Sequence, residues 1–136
     1  MSTSTSIINQ VMEAVIGLMN DTAPFATVTR GALPTGIGIT CEVGPSTPQA
    51  VYLDKNSLVP LDVTINAKHS NLKTLSDALN NIHDALTRAT TYPSGNGWQI
   101  VDISNYILPQ IIGRENNNEW LMASSLLVKF FWREAD

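Results

Sequence analysis

The sequence predicts an α+β domain: two helices packed on one face of a mostly antiparallel, mixed sheet, in the order α-β-β-β-α-β-β(-β). Three observations carry this. Two segments repeat apolar residues at three- and four-residue spacing, and one segment alternates apolar and polar residues. Strand-like runs also lie on both sides of the second helix without a βαβα rhythm. At 136 residues the chain fits one domain, residues 1–136. A chain of this length buries roughly two-thirds of its unfolded surface and needs no disulfide or metal staple.

Residues 6–20 read as the first helix, with Ile7, Ile8, Val11, Met12, Val15, Ile16 and Met19 on one face. Ser4 or Ser6 supplies a cap, and Asn20–Asp21 before Pro24 stops it. "FATVTRG" at 25–31 alternates as a short strand with Phe25, Thr27 and Thr29 on one side. "IGITCEV" at 37–43 places Ile37, Ile39, Cys41 and Val43 together, and "GPSTPQA" is a loop stiffened by Pro45 and Pro48. Residues 58–69 have the clearest period of two. Leu61, Val63, Ile65 and Ala67 make a dry face; Asp62, Thr64, Asn66 and Lys68 make a wet one. The second helix, 71–89, starts at Ser70 or Asn71 and carries the stripe Leu72, Leu75, Leu79, Ile82 and Leu86. "WQIVDISNYIL" at 98–108 is a strand. "PQIIGRENNNEW" is a short segment leading into a hairpin-like turn at Asn116–Asn118, before a final strand.

That final strand poses a packing problem. Leu126, Val128, Phe130 and Trp132 point to one face, and Leu127, Lys129, Phe131 and Arg133 to the other. Phe131 and Trp132 therefore cannot both be buried in two layers unless something covers the second face. Seven of the nine aromatic residues follow residue 91. Trp98, Trp120 and Phe130 are expected to fill the core, and an aromatic left outside marks a contact.

Composition narrows the function classes. Charged residues make up 15% of the chain, and polarity comes largely from Asn, Ser and Thr. A polar surface with few ions is cheap for a partner to cover, which fits an assembly subunit. The net charge of −4, without a basic run, argues against a surface that reads DNA sequence. The lone Cys41 forms no intramolecular disulfide, in keeping with synthesis in a cytoplasm. The first residues lack the basic and apolar regions of a signal peptide, and no run reaches membrane-spanning length, so no membrane role is expected.

Catalytic patterns are weak. Cys41 with His83 or His69 is conceivable as a nucleophile pair, but a buried cysteine and a boundary histidine explain those residues better. The glycines of "GALPTGIG" lack the setting of a phosphate loop. Two histidines and one distant cysteine do not build a zinc site. Asp62, Asp77, Asp84 and Asp102 form no compact pair. The expectation is a protein that is not an enzyme and takes no cofactor.

The C-terminal third resembles a known family. Trp98-Gln99-Ile100, Pro109 and Ile112-Gly113-Arg114-Glu115 lead into an Asn-rich turn. Trp120-Leu121, Ser124-Ser125-Leu126, Val128-Lys129-Phe130 and Trp132 follow. This run is similar to the tail-terminator, or tail-completion, proteins of long-tailed bacteriophages, also known as minor capsid proteins. A weaker match is "LDVTINAKHSNLKTLSDALNNIHDAL". The likeness covers residues 61–133; the first 60 agree by helix position and length alone. Asn117–Asn118 depart from the Asn-Gly turn expected there.

The resemblance implies an α+β subunit of a six-fold ring on the head-proximal end of the tail tube. The ring ends tube growth, docks to the head–tail connector and takes no cofactor. It works in the virion and lets DNA pass through its bore ungripped. A mildly acidic chain suits that bore. The neighbouring reading is a head-completion adaptor or stopper on the portal side. Candidate contacts with a neighbouring subunit or the tube are Arg114, Glu115, Asn117, Lys129, Phe131 and Trp132.

Overall fold

The computed structural model describes residues 4–44, 57–115 and 118–132. The elements are α1 (Ser4–Asn20), β1 (Val28–Arg30), β2 (Gly38–Val43), β3 (Ser57–His69), α2 (Leu72–Arg88), β4 (Ser94–Gly95), β5 (Trp98–Arg114) and β6 (Trp120–Trp132). The fold is α+β, with two helices and a six-stranded mixed sheet ordered β1-β2-β3-β6-β5-β4. β1 runs parallel to β2, and the other pairings among the described residues are antiparallel.

Both helices form where the apolar spacing places them. α1 buries Ile7, Val11, Met12, Val15 and Met19, while Ile8 and Ile16 sit half-buried on its flanks. The cap expected from Ser4 or Ser6 falls on side chains outside the described residues, as do the loop at 45–50, Asn117 and Arg133. At the other end, Val28 N–H donates to Asn20 Oδ1 at 2.8 Å, tying the helix end to β1. α2 is capped by Asn71, whose side-chain oxygen accepts the Thr74 N–H at 3.1 Å. It buries Leu75, Leu79, Ile82 and Leu86. These side chains join the dry faces of the strands in one buried cluster.

β3 and β6 form the spine. They pair along their whole length, from Ser57 opposite Trp132 to His69 opposite Trp120. Val59, Leu61, Val63 and Ile65 therefore lie against Phe130, Val128, Leu126 and Ser124 on the helix side.

Several expectations need correction. The strand expected at 25–31 shrinks to three residues, Val28–Arg30, of which Val28 is buried. Phe25 lies outside it, edge-on to His69 with centroids 4.7 Å apart. The break expected at Pro109 is absent, since β5 runs unbroken to Arg114. Proline is tolerated because it sits on an edge strand among irregularities, where one missing donor costs no regular ladder bond.

The face of β3 expected to be wet is enclosed at Asp62 and Lys68, while Thr64 and Asn66 are half-buried. Asp62 is 3% exposed and Lys68 4%. Four register shifts between β5 and β6 curl the sheet, so Tyr106, Ile107 and Gln110 share a hollow of about 240 Å³ with Asp62, Thr64 and Ser125. Gly44 approaches from the other side and donates its N–H to the Asp62 carbonyl at 2.6 Å. A Cβ there would run into the side chains of Asp62 and Thr64, which would have to shift to admit it.

Candidate interface

β5 is the strand on which the site is built. Its first half belongs to the core. Trp98, Ile100 and Ile103 are buried opposite Trp132, Phe130 and Val128, and Trp98 Nε1–H donates to Gln10 Oε1 at 2.8 Å. Its second half has little above it. Tyr106, Ile107, Leu108, Ile111 and Ile112 are all exposed, Leu108 most at 64%. β4 pairs with β5 only at Trp98 and Gln99, so among the described residues the rest of β5 is a sheet edge. No charged residue occurs between Asp102 and Arg114. Edge strands are normally protected by charge or by brevity, and this one has neither. The proline and the bulges are its remaining guards against backbone pairing.

A polar seam marks where the covered half ends. His83 of α2 is buried and joins both strands of the ribbon: Nδ1 lies 2.8 Å from Asn105 Oδ1 and Nε2 2.8 Å from Ser124 Oγ. With Asn105 presenting oxygen, Nδ1–H is the donor and Nε2 accepts the Ser124 hydroxyl proton. The ring is neutral in this arrangement. Burial holds its pKa below the usual histidine value, with the Asn105 bond partly opposing that shift.

The tip of the β5–β6 hairpin is closed from within. Glu115 N–H donates to the Glu119 carbonyl at 2.8 Å, and Asn118 N–H to the Glu115 carbonyl at 3.0 Å. Asn118 takes φ +66°, the left-handed conformation that asparagine tolerates better than other non-glycine residues. Lys68 reaches the tip from β3, with Nζ 3.6 Å from the Glu115 carboxylate and 4.0 Å from that of Glu119. The Arg114 guanidinium stacks 4.6 Å from the centroid of Trp120.

The candidate contact residues therefore separate. Arg114 and Glu115 are exposed but engaged within the chain, with Trp120 and Lys68 respectively. Asn117 lies outside the described residues. Lys129 is half-buried on the outer face, in register with Pro60 and Asp102. Phe131 is 40% exposed on that face, opposite Leu58 and Gln99. Trp132 is 4% exposed and turns to the helix side, which takes it out of the candidate interface and into the core. Its indole N–H has no hydrogen-bond partner among the described residues. The exposed row from Tyr106 to Ile112 was missed by sequence reading. Its signal was an uncharged run with no period-two alternation, interrupted by Pro109.

Catalytic groups do not converge. Cys41 is buried, and burial pushes its thiol up to about 12, far from a thiolate at neutral pH. His83 is bonded as above, and His69 Nδ1 accepts the Asn71 N–H at 2.8 Å. Among the described residues, no group of three or more His, Cys, Asp or Glu is placed to hold a metal ion, and no helix is long and apolar enough to cross a membrane. No protein-family model matches this chain, and no curated protein matches its sequence.

Proposed function

We propose that this protein is a structural subunit of a bacteriophage particle. In this reading it forms a ring, six-fold by resemblance, that caps the head-proximal end of the tail tube and offers a surface for the head–tail connector. The observation that carries the reading is the bare second half of β5. Five large side chains stand exposed on an uncharged sheet edge, shared between its two faces. Exposed apolar surface of this kind marks a protein contact. Support also comes from the resemblance over residues 98–133, which centres on the same β5–β6 ribbon, and from the low charge of the surface around it. A ring needs one surface of each copy to meet a different surface of the next, and two unlike axial faces besides. The acidic balance of the chain suits a bore that passes DNA without holding it.

Electron microscopy of particles made without the protein tests this. Overlong tail tubes are the expected result. Finished tails beside unjoined heads would move the assignment to a head-completion adaptor. Normal particles would remove the assembly role altogether.

A further inference from the structure

Asn96-Gly97 is the one Asn-Gly pair in the sequence. Ser94 pairs with Gln99 and Gly95 with Trp98, so Asn96 and Gly97 are the two loop residues of the β4–β5 hairpin. Gly97 takes φ +87°, whereas Asn96 stays outside the left-handed region. That combination is what a type II turn requires. Such a turn splays the strands it joins, in keeping with a β4 of two residues at the edge of the sheet. Asn96 is exposed. The Gly97 N–H donates to no partner among the described residues.

We propose that Asn96 is a site of spontaneous covalent modification, where the side-chain amide is lost as ammonia. The Gly97 backbone nitrogen gives its proton to a solvent base and attacks Asn96 Cγ. The N–Cγ bond forms and the Cγ–Nδ2 bond breaks. Ammonia leaves with the returned proton, and a five-membered succinimide remains. Water then adds to one of the two ring carbonyls. Breaking the new N–Cγ bond gives aspartate on an unchanged main chain. Breaking the original Asn96–Gly97 peptide bond instead leaves the main chain running through Cγ, with the former backbone carbonyl as a carboxylate. One water enters and one ammonia leaves, without oxidation or reduction.

The site suits this chemistry better than the chain's other well-placed asparagines. Gly97 has no Cβ to shield its nitrogen. Its N–H need not be withdrawn from a hydrogen bond. Attack requires Asn96 to turn about its backbone, and a hairpin of two rungs opens cheaply. By contrast, Asn20, Asn71 and Asn105 hold Val28, Thr74 and His83 through their side chains. Asn80 and Asn81 lie inside α2, where the following N–H groups are committed to the helix.

The chain-lengthened product has a structural consequence. Gly95 lies so close to Trp98 that a Cβ on it would run into the indole ring. Trp98 in turn donates its Nε1–H to Gln10 of α1. An extra main-chain atom in the loop lifts Gly95 from the ring and breaks the rung to Trp98. Either product adds one negative charge at neutral pH. The proposal stands apart from the ring reading.

The test incubates the full chain in warm, mildly alkaline buffer and follows it by peptide mapping and mass spectrometry. The peptide holding Asn96 should gain the mass difference between NH2 and OH before any other asparagine peptide does, and should elute as two products. The chain unfolded in guanidinium should convert at a similar rate there. Asn96→Gln should lose the early gain, because glutamine must close a six-membered ring, and its circular dichroism should match the unchanged protein. Hydrogen exchange over residues 93–100 should quicken in the aged protein and not in Asn96→Asp, which carries the charge without the lengthened chain. An amide kept at Asn96 in the folded chain but lost in the unfolded one would overturn the proposal. So would earlier conversion of another asparagine, or a lengthened product whose hairpin exchange is unchanged.

Discussion

The two halves of β5 have similar apolar content and opposite fates. From Trp98 to Ile103 the strand lies within the buried cluster under the helices, and its inward side chains disappear from solvent. From Tyr106 to Ile112 it extends past that cover, and its large side chains remain exposed. The boundary falls at Asn105, where His83 bonds both strands. Burial along this strand thus changes at the His83 seam while its apolar content does not. Surplus apolar surface beyond that seam is what a partner would use.

The sharpest way to break this comparison is to cut side chains on each side of the boundary. Phe130→Ala, in the covered region, should cost about 3–5 kcal/mol of unfolding free energy in urea titrations. Ile100→Ala should cost about 2–5 kcal/mol for the same reason. Phe131→Ala and Ile112→Ala, on exposed sites, should each stay within about 0.5 kcal/mol. Equal losses at Ile100 and Ile112 would mean that the second half is also packed within one chain.

A smaller effect is expected at the seam. Ser124→Ala leaves His83 Nε2 without its buried partner and should cost about 1–3 kcal/mol. His83 also sets a pH dependence. Its folded pKa lies below the ordinary value of about 6.5, so the unfolded chain takes up a proton more readily. Stability from this group is fully present above about pH 6.5 and is lost as pH falls through the folded pKa. Chemical denaturation across pH 5 to 8 checks this; His83→Gln should flatten the slope in that window, and an unchanged slope would remove His83 as its source. The smallest effect belongs to the hairpin tip. Arg114→Ala removes an exposed cation–π contact and should cost about 0.5–1 kcal/mol, measured by thermal melting.

Much of the architecture was legible from spacing. Leu75, Leu79, Ile82 and Leu86 follow the helical period, and Leu61, Val63, Ile65 and Ala67 the strand period, because each segment's buried face is written in its own repeat. Asp62 and Lys68 broke the same rule. Their alternation predicts solvent, but curl of the sheet and the carboxylates at the hairpin tip enclose them. Pro109 likewise reads locally as a break. Only its place at the edge of the sheet lets β5 continue through it.

The ending of the chain divides the two sources of information. The sequence by itself determined that Phe131 and Trp132 lie on opposite faces, since adjacent residues of a strand must. It also determined that the second helix presents one apolar stripe and that residues 103–113 carry no charge. The tertiary structure decided that Trp132 enters the core while Phe131 stays outside, because register with β3 and β5 turns the even positions of β6 toward the helices. It decided as well that the row from Tyr106 to Ile112 is bare. Periodicity fixes which way a side chain points, whereas the reach of another element across the sheet fixes whether anything is there to meet it.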